Sequence, residues 1–335
     1  MAERIVDTFD LKGPLVRVDV PDDDLAWAFR KFLEGMETGG REPPAYHIEV
    51  DYCDAIEQPQ GPADWSGPII YEEPASFWQE PDAVTIVMPE TAVMRLEKDR
   101  ALVRVLRDRS RRFAFVGAPI LLEAAVAACG GYLVHAACLE IPGRGECVLI
   151  FGASGRGKST TTMALAGNGF VMQGDDCSVI FERDGRFHAW GLPRAPKIHR
   201  NSAEMLGWSA RMPDEWNKDG EQMVERSLIV DLIAMARPSP LPVGAVVTMG
   251  PRRGNDAHEV APAPAINALV VMAEDNVANE QGGKLPWNRP LLDRLMRLAR
   301  DCPVFELRAG RELSTIARTM LSAFDTVRER ESAAT

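Results

Sequence analysis

The chain has 335 residues, 46% of them hydrophobic and 26% charged, with a net charge of −11 and a pI near 5.1. These values describe an ordinary globular protein with room for two modest domains, and they argue against a general nucleic-acid binder, which meets phosphate backbones with clustered Lys and Arg. Six cysteines form no CxxC pair and have no histidines at zinc spacing, so free thiols in a reducing cytoplasm are expected.

The N-terminus lacks an apolar signal core. The longest apolar region, 115–141, is broken by Glu123, Gly130-Gly131 and His135, so neither export nor a membrane span is expected. Residues 1–115 read as a small α+β accessory region. Leu15–Val20 alternates apolar and charged residues as a half-buried strand does, and 25–33, after Asp22-Asp23-Asp24, has the amphipathy of a helix. Segments 35–44 and 58–81, rich in Gly, Pro and acids, read as loops or edges. Ala83–Met88, 93–96 and 101–106 read as strands of a small sheet. The basic run from Arg95 to Arg112 is interleaved with Glu97, Asp99 and Asp108, the pattern of a solvated hairpin face.

Residues 116–330 read as a second, larger domain. A buried helix over 119–128 stops at Gly130-Gly131, 132–141 is a predicted strand containing His135, and Cys147–Phe151 is its hairpin partner. There follow Gly152, Ala153, Ser154, Gly155, Arg156, Gly157, Lys158, Ser159 and Thr160. They fit GxxxxGK[ST] in the strand, loop, helix order that this motif requires. Glycines let successive backbone N–H groups turn toward phosphate oxygens, and the helix beginning near Lys158 points its positive end at the same anion. Lys158 then neutralises outer phosphates and the Ser159 hydroxyl ligates Mg²⁺. The ligand so implied is ATP or another nucleoside triphosphate.

A short strand over 170–173 leads to Gly174-Asp175-Asp176. An acid at the end of a strand beside the phosphate-loop strand is where a metal-binding aspartate belongs, and two acids suggest two tasks. Residues 177–182 and 187–190 form a predicted hairpin. Segment 191–200 is a proline-stiffened basic loop in which Arg194 and Lys197 are candidate phosphate or substrate contacts. A strand over 243–249, helices over 265–278 and 290–300, the strand Val304–Arg308 and a terminal helix over 312–328 with a frayed tail complete the reading.

The strand His135-Ala136-Ala137, the hairpin into Gly152–Ser159, Gly169-Phe170 with Gly174-Asp175-Asp176, and more weakly Pro193-Arg194 with Lys197 and 303–310, resemble the HPr kinase/phosphorylase superfamily. The resemblance is in particular to its shorter HPr-kinase-related members, similar to lasso-peptide precursor kinases. The resemblance covers roughly residue 130 to the end. It implies an α/β, phosphoenolpyruvate-carboxykinase-like nucleotide fold and ATP-dependent phosphorylation of a serine hydroxyl. Position by position, it implies phosphate and Mg²⁺ binding by Lys158 and Ser159, metal contact by Asp175, proton acceptance by Asp176 and a place for His135 beside the transferring group, with the two aspartates exchangeable. Thr160 and Thr161 stand where bifunctional relatives carry an acid, and their downstream glycine-rich segment is not recognisable. Phosphorolysis and HPr itself as acceptor are therefore left open.

The reading is of a cytoplasmic kinase acting on a hydroxyl of a peptide, protein or small molecule, with ATP and Mg²⁺, without nucleic acid or membrane partners. Related enzymes form oligomers, and a homo-oligomer is left open. A non-catalytic ATP-binding module that switches a partner is the alternative; paired aspartates favour catalysis, because a switch needs only one.

Overall fold

Two large sheets carry the chain in the computed structural model, which describes residues 4–40, 42–153, 155–251, 254–278 and 290–334. The residues fall into two compact units, Met1–Leu133 and Val134–Gly283 with Pro290–Thr335.

The first unit contains β1 (Ile5–Asp10), β2 (Leu15–Val20), α1 (Asp23–Arg30), β3 (Tyr46–Cys53), β4 (Trp65–Pro68), β5 (Pro74–Gln79), β6 (Ala83–Met88), β7 (Ala92–Glu97), β8 (Arg100–Leu106) and α2 (Ser110–Ala128). Its sheet runs β1-β2-β3-β8-β7-β6-β5-β4, with β3 parallel to both neighbours. Asp22 starts α1 by accepting the Leu25 N–H, and Asp23 and Asp24 favour the positive end of the helix. Phe29 meets Phe113 edge-on at 6.5 Å, joining α1 to α2. Two differences from the sequence reading have local causes. Segment 58–81 holds β4 and β5, because Ala75 and Phe77 alternate inward and Trp65 stacks on Phe77 despite the surrounding prolines. The helix expected from 119 begins at Ser110, since Phe113 and Val116 already bury on its inner face. The basic run is engaged within this unit: Arg95 pairs with Glu80 and Glu97, Arg100 with Glu97, and Arg112 with buried Glu73.

In the rest of the chain, β9 (Tyr132–Val134) crosses the unit boundary. Then come β10 (Ala137–Glu140), β11 (Cys147–Phe151), α3 (Lys158–Ala166), β12 (Val171–Gly174), β13 (Ser178–Arg183), β14 (Arg186–Gly191), β15 (Lys197–His199), α4 (Arg200–Met205) and β16 (Glu221–Met223). They are followed by α5 (Arg226–Ile229), β17 (Leu241–Met249), β18 (Glu259–Pro262), α6 (Ala265–Ala273), α7 (Leu291–Asp301), β19 (Val304–Arg308) and α8 (Ile316–Ala334). Strand β11 is the axis of the second unit, antiparallel to β10 and parallel to β17, which continues parallel to β19. All five of its residues are buried, which is why it reads as an unbroken apolar run. Met163 and Leu165 of α3 and Ile316, Met320 and Phe324 of α8 share one core with Val148, Ile150 and Phe305.

The strand expected over 132–141 breaks at His135-Ala136. Side chains take the main-chain groups there: the His135 N–H donates to Asn276 Oδ1, and the Ala136 carbonyl accepts from Ser178 Oγ. The helix expected over 265–278 is α6 followed by one π-helical turn, Glu274–Ala278. The tail expected to fray from 329 continues α8 to Ala334. Among the described residues no helix is long and apolar enough to cross a membrane.

Candidate active site

The loop after β11 is shaped by two close constraints. A Cβ on Gly152 would stand 2.7 Å from Cβ of Met249 on β17, so only glycine lets the chain leave the sheet there. Gly157 holds φ at 94° and caps α3, a conformation that side chains resist. Between them the Arg156 N–H donates to the Ala153 carbonyl at 3.1 Å, closing the bend, while Gly155 and Arg156 face solvent. Ser154 lies outside the described residues. Helix α3 begins at Lys158, with Ser159 half-buried in its first turn and Thr160 buried, its hydroxyl 2.7 Å from that of Ser202 on α4.

Lys158 is 7% exposed. Among the described residues its Nζ has no hydrogen-bond partner, and Asp176 Oδ1 stands 3.8 Å away. Burial lowers its pKa. A buried ammonium left in this way is costly, and it lies where an anion entering the bend would meet it.

At the end of β12 the two aspartates diverge. Asp175 is buried, and burial together with the charge of Asp176 pushes its carboxyl up to about 7. The Asp176 side chain is 45% exposed and meets His135 Nε2 at 2.6 Å, with Arg194 Nη1 3.8 Å from its second oxygen. Burial works to raise Asp176, but the hydrogen bond and charge of His135, with Lys158 and Arg194, hold it well below the usual carboxylate range. Burial would likewise lower His135, yet its hydrogen bonds with Asp176 and Asp275 raise it to about 9.

Thus Lys158, Asp176, His135 and Arg194 come together, with Asp175 adjoining. Lys197 does not share this geometry; it is exposed on β15, across from Met223. Two neighbours escaped the sequence reading. Asp275 Oδ2 is 3.1 Å from His135 Nδ1, and Asn276 holds the His135 main chain. Both sit at the end of an apolar helix in no recognisable motif, so only the fold brings them here.

The arrangement can hold an anion against a buried cation and backbone N–H groups, and it presents an ionised carboxylate to whatever lies beside that anion. No cluster of three or more His, Cys, Asp or Glu among the described residues is built to hold a metal alone. A Mg²⁺ ion does not need one: it takes one or two carboxylates together with phosphate oxygens, and the hard oxygens of Asp175 and Ser159 suit it.

Over 74 residues the chain is 39% identical to the HPr kinase/phosphorylase of Lactobacillus acidophilus. Over that stretch the chain is similar to HPr kinase/phosphorylase. The match takes in 22% of this chain and spans about a fifth of that enzyme, 21% of its length. The solved structure of the HPr(Ser) kinase/phosphatase from Coxiella burnetii superposes loosely, with a TM-score of 0.30 and 12% identity over 60% of this chain and 96% of that one. No family model matches the chain.

Proposed function

We propose that the chain is an ATP-dependent kinase that transfers the γ-phosphoryl group to a serine, or another hydroxyl, of a peptide, protein or small molecule. The observation that carries this reading is the buried Lys158 ammonium behind a glycine-shaped bend, with no hydrogen-bond partner among the described residues and 3.8 Å from an ionised carboxylate. The similarity to HPr kinase/phosphorylase supports it. In this reading the second unit is the kinase domain, a phosphoenolpyruvate-carboxykinase-like nucleotide fold working in the cytoplasm, and the first unit is accessory.

Phosphoryl transfer asks the protein chiefly for positioning and charge balance. Backbone N–H groups between Gly152 and Thr160, apart from that of Arg156, which closes the bend, hold the polyphosphate together with Lys158, and Ser159 and Asp175 would hold Mg²⁺, which when bound would neutralise charge on the outer phosphates. The acceptor hydroxyl gives its proton to Asp176 as its oxygen bonds to the γ-phosphorus and the bond to the ADP oxygen breaks. Arg194 faces the same carboxylate and offers positive charge to the acceptor side. Lys197, exposed on β15, is proposed as an outlying substrate contact.

The test is γ-labelled ATP with Mg²⁺ and extract of the source cell, followed by identification of the labelled species. Label on a hydroxyl that disappears with Asp176→Asn supports the kinase; ATP bound but never consumed, with or without extract, would favour the nucleotide-switch alternative.

A further inference from the structure

The π-helical turn Glu274–Ala278 does something an α-turn does not: it buries two consecutive polar residues, Asp275 and Asn276, on one side. Successive side chains in an α-helix diverge by about 100°, whereas the wider π-turn relaxes this, and such turns recur at functional sites. Asn276 is tied at both ends, its Nδ2 donating to the Met272 carbonyl at 2.9 Å and its Oδ1 accepting the His135 main-chain N–H at 2.6 Å. Asp275 Oδ2 stands 3.1 Å from His135 Nδ1. The His135 main chain is thus hydrogen-bonded to the π-turn, its Nδ1 stands within ion-pair distance of Asp275 without an aligned hydrogen bond, and its Nε2 is hydrogen-bonded to Asp176.

We propose that Asp275, braced by Asn276, is a positioning residue for His135, and through the imidazole aims the carboxylate of Asp176 at an incoming hydroxyl. His135 occupies Oδ1 of Asp176, so Oδ2, 3.8 Å from Arg194, is the oxygen turned to the acceptor. Without Asp275 the ring loses its partner at Nδ1, and the Asp176 carboxylate is free to rotate. A buried carboxylate facing one ring nitrogen favours a hydrogen on it and fixes the orientation of the ring, and so the direction of the N–H at the other nitrogen, as outer partners of functional histidines generally do. The catalytic consequence rests on the kinase reading above; the geometric one does not.

The experiment is ¹⁵N NMR of the His135 ring in the full chain at pH 7.5, in wild type, Asp275→Asn, Asp275→Glu and Asn276→Ala, alongside the rate of γ-phosphate loss from ATP with Mg²⁺. In wild type both ring nitrogens should carry hydrogens. In Asp275→Asn the Nδ1 signal should move toward the pyridine-like range, and turnover should fall about 10- to 100-fold with KM for ATP little changed. Asp275→Glu should restore most of both. An unmoved ring in Asp275→Asn overturns the proposal, and so does a pyridine-like Nδ1 in wild type, which decides the matter even should the variant fail to fold. A ring that moves in a protein whose wild type consumes no ATP, with or without extract of the source cell, upholds the positioning and removes the kinase reading.

Discussion

The ammonium of Lys158 stops 3.8 Å from Oδ1 of Asp176, close enough for attraction and too far for a hydrogen bond. The lysine is buried and Asp176 is half-exposed, so the free protein carries the desolvation cost of the cation with little return. Lys158→Met should therefore raise the stability of the free chain by roughly 1–3 kcal/mol while lowering ATP affinity more than about 10-fold. A thermal melt and a calorimetric titration with ATP check the two halves; a variant that loses stability and keeps affinity contradicts both.

Asp176→Asn keeps the volume of the side chain and removes its basicity. ATP binding should stay close to wild type while transfer falls about 10²- to 10⁴-fold. Equilibrium binding with single-turnover kinetics separates the two quantities, and unimpaired transfer would take Asp176 out of the proton-accepting role.

Gly157 caps α3 at φ 94°. Gly157→Ala should cost about 1–2 kcal/mol of backbone strain, concentrated where the bend meets the helix, and weaken ATP binding more than it weakens the fold. Comparing the shift in ATP dissociation constant with the shift in urea midpoint tests this.

His135 sets a pH dependence of stability. Its pKa is raised from 6.5 to about 9. The folded chain thus binds a proton that the unfolded chain gives up, and this contribution is complete below pH 6.5 and lost as pH rises through 9. The groups facing the ring are Asp176 after β12, Asp275 on the π-turn and Lys158 on α3. Asp175, pushed up to about 7, acts with the same sign at lower pH, while Lys158, whose pKa burial lowers, acts with the opposite sign toward its ordinary alkaline range, so the fall in stability from 7 to 9 comes from His135. Urea unfolding should show about 2 kcal/mol lost between pH 7 and 9, and His135→Gln should flatten that slope.

Much of the second unit is readable from local pattern. Cys147–Phe151 is a continuous apolar run because both faces of β11 are covered, and Gly152 to Thr160 announces its bend through residue types that few other conformations need. The first unit is less legible. Strands β4 and β5 are short and are bounded by Pro68 and Pro74, and their pairing, Trp65 opposite Phe77, is between residues 12 positions apart.

By itself the sequence determined a phosphate-shaped bend with a lysine at its helix start and two acids downstream, because those features depend on residues adjacent in the chain. The tertiary structure alone decided which acid is buried and which meets His135, and it brought Asn276, 141 positions away, to the His135 main chain and its neighbour Asp275 to the ring. Burial and ion pairing depend on what packs from distant segments, and no local spacing encodes that.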